Sequence, residues 1–450
     1  MVPSFDSLEC TVSHNTAFRQ GKHVKKPWYT QARDVLSRLD YLHSTILLTT
    51  PVIAVWAMFN IALQRNTLIL AIVWYWIGGL GVTAGYHRFY AHKAFSVNKI
   101  AEILLICMGT SAIQGSIKWW AGGHRVHHRY TDTKYDPYNS KSDYGLWYSH
   151  FGWMLVHPKP ENRKYADIHD LNENHLVYLQ HKYYLFLAPV FAFLLPTLIA
   201  GLMWGDYSGG YFFAGVARLV FLHHSTFCVN SIAHYLGEAN FDDERTPRDS
   251  LITALLTFGE GFHNFHHLFP QDYRNGIHFW DYDPTKWLIN FFYRLGWATG
   301  LKMSPPNEIW KAQASMKHKQ WLEIEQKISK PKSFAELPEI TFAEMQRLIQ
   351  SENLQLTVIN NVVYNLSAFI GSHPGGQIYI KSVVGIHATK DFYGLTGVYK
   401  HSPAAHYVLE NMRYAKLAAS DQVEEINKVS IKQHEEKIPK LRKSCYKSVK

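Results

Sequence analysis

The sequence predicts a mainly α-helical fold: four transmembrane helices under a histidine-rich cytosolic cap, followed by a small α+β domain. Three observations predict it. Four stretches, at about 44–63, 66–86, 183–205 and 207–233, have the length and apolarity of membrane spans. Three histidine knots lie between or after them, in GYHRFYAHKAF, AGGHRVHHRYTDTKYDP and GEGFHNFHHLFP. Beyond the last span, a hairpin signal and an HPGG turn open a second unit. A chain of 450 residues exceeds one ordinary core, which agrees with two folding units.

The elements follow in order. Residues 1–40 read as a polar cytosolic arm with no signal-peptide pattern. The first three spans carry no charge and supply the ~20 residues a helix needs to cross roughly 30 Å of hydrocarbon. A helix is the natural answer there, because each backbone N–H finds its partner within the segment. The fourth contains Arg218, His223 and His224 and is the weakest of the set. The apolar stretch 103–117 is too short to cross and is expected to lie in the interface or re-enter. The arm holds six Lys/Arg and residues 87–182 hold twelve, against one in the QRN turn and none near GDYSGG. The positive-inside rule therefore places both termini and all three knots on the cytosolic side. The net charge of +10 suits anionic headgroups; with no recognition module around it, nucleic acid is set aside. Four scattered cysteines without a CxxC pair read as free thiols in a reducing compartment.

His124, His127 and His128 are spaced i, i+3, i+4 and share one helical face, as do His263, His266 and His267. His87 and His92 are five apart, off a single α-helical face, which suits a loosened span end. Eight imidazoles exceed what one ion can use, so two metals are the economical reading. No cysteine sits in any knot. An all-nitrogen set with open positions suits iron and oxygen chemistry better than structural zinc, although zinc and copper also accept imidazole.

These boxes, with the flanks TAGYHRFYAHKAF, HRVHHRYTDTKYDPYNSKSDYGLWYSHFGWML and GEGFHNFHHLFPQDYRNG, resemble the membrane fatty acyl-CoA desaturases over about 41–303, most closely the fungal Δ9 (stearoyl-CoA) type. The resemblance implies an oxygen-dependent oxidoreductase of the endoplasmic reticulum that inserts a cis double bond into saturated fatty acyl-CoA at two iron ions. It implies a ninth ligand, His234 in NSIAH, and Asn230 acting through a metal-bound water. His223 and His224 are expected to line a tunnel or pack. Span two ends at the first box, so its face around Tyr75 and Gly79 is the expected tunnel floor. Trp120 matches a family tryptophan near the thioester end. The basic–acidic pair that follows it in animal members is replaced by Gly122 and Gly123, so Lys118, Arg125, Arg129, Lys159, Arg163 and Lys164 are the candidates for the CoA phosphates.

Residues 304–336 read as helix plus linker. TVI-NN-VVY then signals a hairpin, since Asn-Asn can take the positive φ of a type I′ turn. HPGG with upstream VYNLSAF resembles cytochrome b5 over 337–418, which implies haem b held by His373 and His401, with His406 as the rival second ligand. The usual strand Trp is Leu356 and the usual Asp-Gly turn is Asn360-Asn361; six Lys/Arg against five Asp/Glu make the domain less acidic than free cytochrome b5. The fusion implies electrons from an NADH-cytochrome b5 reductase, delivered by a tethered donor at high effective concentration. Residues 419–450 are a charged tail. The competing functions are a di-iron lipid hydroxylase and a non-enzymatic membrane haem carrier.

Overall fold

The computed structural model describes residues 33, 35–142, 145–328, 330–395 and 400–421. Most of the N-terminal arm, nearly all of the charged tail, Cys10 and Cys445 lie outside them; Cys107 and Cys228 are free thiols.

Four helices are long and apolar enough to cross a membrane: Tyr41–Asn60, Arg65–Ala91, Tyr184–Trp204 and Tyr207–His234. At 1.5 Å per residue the shortest rises about 30 Å. Their outer faces expose large side chains such as Val52, Trp56 and Phe59 on the first span and Phe186, Leu202 and Met203 on the third. Their inner faces are small, which lets helix backbones approach closely. Ala54 of the first span packs on Phe213, Val216 and Ala217 of the fourth. A Cβ on Gly210 would stand 2.7 Å from that of Ala200. Asp206 caps the fourth span by accepting from Gly209 N. Arg218, the charge that weakened the fourth span as a prediction, is buried; its guanidinium donates to the Ala214 and Ala192 carbonyls at 2.9 Å.

The apolar stretch at 103–117 forms the end of a 12-residue helix, Lys99–Thr110, followed by a turn through Ile113 at φ 46°. Twelve residues rise only about 18 Å. The helix buries Ala101, Leu105 and Ile106 and exposes Ile100 and Ile103. Helix Ile117–Tyr130 follows, with the Ser116 side chain accepting from Trp119 N at its start. The short helix His263–Leu268 carries the third box, and helix Pro284–Arg294 packs Ile289 and Phe292 into a cluster with Ala84 of the second span. The 22-residue helix Pro306–Lys327 leads out of this unit.

The chain divides into two compact units between Gln320 and Trp321. The second holds a four-stranded sheet in the order Glu339–Ile340, Arg413–Leu417, Val362–Asn365, Leu356–Ile359. The hairpin register pairs Ile359 with Val362 across Asn360 and Asn361, at φ 50° and 59°, the type I′ geometry the sequence implies. Leu356, Val358, Val363, Ala415 and Leu417 pack with Met345 of helix Phe342–Glu352. Leu356 is fully buried, so an aliphatic side chain fills the place of the usual Trp.

Candidate metal centre

The second span does not finish as an α-helix. From Gly81 to Ala91 it widens into a π-helix. An α-helix would turn His87 and His92 well apart, whereas i→i+5 bonding brings residues five apart onto one side. His92 N donates to the His87 carbonyl at 3.1 Å, and the two rings sit 4.8 Å centre to centre. The loosened span end that the spacing suggested is this π-turn.

The nine histidines converge as two groups. His87, His92, His124, His128 and His266 form the first, and His127, His234, His263 and His267 the second; within each, the candidate ligand atoms lie within 4.8 Å of one another. The helical face of each HxxHH box is therefore split. His124 and His128 serve one group and His127 the other; His266 serves the first, His263 and His267 the second. Eight of the nine are buried, and His128 nearly so.

The facing atoms are Nε2. In the first group the separations are 3.0 Å for His87–His266, 2.9 Å for His92–His124 and 3.0 Å for His128–His266. In the second they are 3.1 Å for His234–His263, 3.1 Å for His263–His267 and 3.3 Å for His127–His267. A ring nitrogen carries one hydrogen or one lone pair, so His266 Nε2 cannot hydrogen-bond to two others at once. Common ligands of a cation fit instead. With metal–nitrogen bonds of about 2.1 Å, right-angle neighbours lie about 3.0 Å apart and tetrahedral ones about 3.4 Å. The observed spacings, 2.9–3.3 Å, are those of nitrogens that share one cation as common ligands.

Burial, then mutual repulsion, pushes His92, His124, His128, His266 and His267 well below the usual imidazole range, and His263 to about 3. These rings are neutral at pH 7 and offer a lone pair. Carboxylates fix which nitrogen that is. Glu260 Oε2 lies 3.0 Å from His87 Nδ1, and Asp136 Oδ1 lies 2.8 Å from His127 Nδ1. A carboxylate only accepts, so each Nδ1 carries the hydrogen and each Nε2 the lone pair. Tyr138 Oη stands 3.2 Å from His124 Nδ1. Glu260 is held by buried Arg88, which also forks onto Asp283 at 2.9 and 3.0 Å. Burial raises the Glu260 carboxyl, but Arg88 and His87 outweigh it and bring it down to about 2.

Glu260, Asp136, Arg88 and Asp283 were not singled out from sequence. The available signal was a charge set inside otherwise apolar box flanks, as in GEGFH and YHRFY.

The other expected residues divide. Gly79, Trp120, His124, His87, Asn230 and Phe258 line a cavity of ≈ 2010 Å³. Trp120 stacks on His124, ring centres 5.1 Å apart. Tyr75 is not among the lining residues. It packs against Phe258 at 5.0 Å, and a Cβ on Gly79 would meet that same ring at 2.2 Å. Phe258, at φ 59°, thus takes the place expected for Tyr75 at the cavity wall. Helix Arg218–Asn230 ends before the NSIAH motif closes, and a 3-10 turn, Ile232–His234, carries His234 into the second group. His223 lines the cavity and lies 2.9 Å from the Ala112 carbonyl, a packing role. His224 pairs with His150 at 3.0 Å, outside both groups. Lys118, Lys159, Arg163 and Lys164 line the cavity, with Lys134 and Lys141 added. Arg125 is committed to Asp170 and the Ala91 and Tyr90 carbonyls, and Arg129 lies over Tyr130.

In the second unit His373 and His401 face each other with ring centres 6.1 Å apart. Two imidazole–metal bonds of about 2 Å, end to end with the two ring radii, span that distance. His373 Nδ1 is 3.2 Å from the Gly376 carbonyl and His401 Nδ1 is 3.0 Å from the Phe392 carbonyl, which leaves both Nε2 lone pairs free to ligate. His406 packs edge-on to Phe392 at 4.9 Å.

Comparison with known proteins agrees with this geometry. Residues 65–300 match the fatty acid desaturase family and residues 341–418 the cytochrome b5-like heme/steroid binding domain. A probable acyl-CoA desaturase of Schizosaccharomyces pombe is 44% identical over 404 residues, covering 90% of this chain and 82% of that protein. Acyl-CoA desaturase 1 of Saccharomyces cerevisiae is 41% identical over 387 residues, 85% of this chain and 74% of that protein. The acyl-CoA Delta-9 desaturase of Acheta domesticus is 40% identical over 248 residues, 54% and 68% of the two chains. A matched span of apolar helices, two imidazole groups built for a pair of irons, and a haem-binding tail together place this chain in the di-iron fatty acid desaturase family, fused to a cytochrome b5 domain.

Proposed function

We propose that this protein is an acyl-CoA desaturase that uses O2 to insert a cis double bond, at Δ9, into saturated fatty acyl-CoA. Its electrons come from NADH-cytochrome b5 reductase through the fused haem domain. It works in the endoplasmic reticulum membrane with both termini cytosolic. Residues 41–303 form the desaturase domain, 304–336 the connection and 337–418 the haem domain.

The observation that carries this reading is the meeting of the first histidine group with the cavity, through His87 and His124. The cavity wall also draws Ile46, Ala188 and Phe193 from the spans and Lys118, Lys134, Lys141, Lys159, Arg163 and Lys164 from beyond them. An alkyl chain gains about 0.8 kcal/mol per CH2 on leaving water for such a wall. Its phosphate-bearing end is matched by Lys118, Lys134, Lys159, Arg163 and Lys164, which stand in for the pair lost at Gly122 and Gly123. Bound iron supplies the removal of hydrogen from unpolarised C–H bonds, which no side-chain acid or base can do. The chain's own residues hold and orient. His87, His92, His124, His128 and His266 would hold one ion and His127, His234, His263 and His267 the other, with Asn230 acting through water. Trp120 braces His124, while Phe258 and Gly79 shape the wall beside which the chain lies. His373 and His401 would hold the haem.

The test is expression in a yeast strain lacking its own Δ9 desaturase, followed by gas chromatography and mass spectrometry of total fatty acids. Growth without unsaturated supplement and new Δ9 monoenes are expected. Well-expressed protein that yields no alkene, or an alcohol in its place, defeats the proposal.

A further inference from the structure

We propose that Asp132 is a positioning residue for the second histidine group and sets two of its ligands at once, an inference that rests on the di-iron reading above. Asp132 comes four residues after His128 and stands at φ 65°, the left-handed region that Asp and Asn enter more readily than other non-glycine residues. That conformation sends its main chain and its side chain to different ligands.

The main-chain arm runs to His127. Asp132 N donates to Asp136 Oδ2 at 3.0 Å, and Asp136 Oδ1 accepts from His127 Nδ1 at 2.8 Å. The side-chain arm runs to His234, more than a hundred residues away in sequence. Asp132 Oδ2 accepts from Thr246 N at 2.7 Å, and Asp132 Oδ1 accepts from Thr246 Oγ1 at 2.5 Å. Thr246 Oγ1, its hydrogen committed to the carboxylate, turns a lone pair to His234 Nδ1 at 2.8 Å. His234 is thereby the Nδ1–H tautomer, and its Nε2 lone pair points at His263 Nε2, 3.1 Å away. Lys141 Nζ lies 3.1 Å from Asp132 Oδ2. His127 and His234 are neighbours within the group, ring centres 5.3 Å apart. In the first group, His87 and His124 rest on other partners, Glu260 and Tyr138. The hydrogen bonds of Asp132 therefore link the second box to the end of the fourth span, within the second group.

The prediction is selective loss. Outer partners of a metal-binding histidine are worth about 10–100-fold in metal affinity. The full chain is purified in detergent, non-haem iron and haem are counted separately per chain, and iron release to a chelator is timed alongside 57Fe Mössbauer spectra. Wild type should hold two non-haem irons. Thr246→Val should hold about one, with the signature of a coupled pair replaced by that of an isolated ion, and Thr246→Ser should restore two. Asp132→Asn, which tolerates the same φ and keeps one acceptor oxygen, should release one of its two irons about tenfold faster than wild type. Thr246→Val with two irons and wild-type release overturns the proposal, and so does loss of both irons together from a folded variant. Should Thr246→Val not fold, unchanged release from Asp132→Asn overturns it. Wild type lacking two non-haem irons would instead defeat the di-iron reading.

Discussion

Removing the Glu260 carboxylate should loosen the first metal position and the fold beneath it together. Glu260 is 2% exposed and accepts from three donors: His87 Nδ1 at 3.0 Å, Arg88 Nη2 at 2.9 Å and Asn275 Nδ2 at 2.6 Å. Arg88, 1% exposed, would keep Asp283 as its remaining carboxylate. Breaking one side of a buried ion pair costs about 3–5 kcal/mol, and the surviving fork onto Asp283 argues for the lower end, ~3 kcal/mol. For a unit of this size that lowers the melting temperature by about 6–12 °C. Losing the acceptor on His87 Nδ1 should weaken iron by about 10–100-fold. In Glu260→Gln the amide keeps one acceptor oxygen, best turned to His87 and Asn275, so iron should be held better than in Glu260→Ala. The pH dependence has a definite sign. The carboxyl is held at about 2 against 4.5 when free, so its contribution is complete above pH 4.5 and is lost as pH falls toward 2. That acid step should vanish in Glu260→Gln. The assays are thermal unfolding by fluorescence-detected size exclusion and non-haem iron retention against a graded chelator. A Glu260→Ala protein with wild-type melting and wild-type iron retention would refute this account of the network.

His373→Ala or His401→Ala should abolish the haem Soret band while leaving two non-haem irons per chain; a retained six-coordinate haem spectrum in His401→Ala would transfer that role to His406. Combining Lys159→Ala, Arg163→Ala and Lys164→Ala should raise KM for acyl-CoA several-fold with kcat little changed, read from steady-state kinetics at low and high salt; an unchanged KM would remove these cations from the phosphate end. Phe258→Ala opens the wall beside Gly79 and should shift the product profile toward longer chains, at a stability cost of about 3–5 kcal/mol if the wall cannot relax. Fatty acid profiling reads this, and an unaltered chain-length distribution argues against Phe258 as a wall residue.

Much of the site was legible because the relevant signals are local. Apolar runs near twenty residues, HxxHH spacing on a helix, and Asn-Asn between two β-branched strands each state their geometry without reference to the rest of the chain. Five residues put His87 and His92 off a single α-helical face, and the π-turn that returns them to one side was visible only in the structure. Other features were not legible. Tyr75 lies on the expected face of its span, but Phe258, from a loop nearly two hundred residues later, fills the space in front of it. Arg125 has the charge and position to meet a phosphate, yet its guanidinium is spent on Asp170, which comes from a separate short helix. Asn230 and His234 are four residues apart, a spacing that would share one face of a continuous helix, but the chain turns at Ser231.

By itself the sequence determined what can be counted along the chain: four candidate spans, eight box imidazoles, a hairpin and an HPGG turn, while the ninth imidazole, His234, and the haem came with the family resemblance. The counted features follow from period, length and side-chain chemistry over a few residues. Only the tertiary structure decided how the imidazoles are shared, since each HxxHH helix is wedged between two positions and divides its ligands between them. It also decided which nitrogen of each ring faces inward, because the partners that select the tautomer, Glu260, Asp136 and Thr246, come from other segments. A ring's spacing is a property of its own helix, but its orientation and protonation belong to whatever packs against its far side.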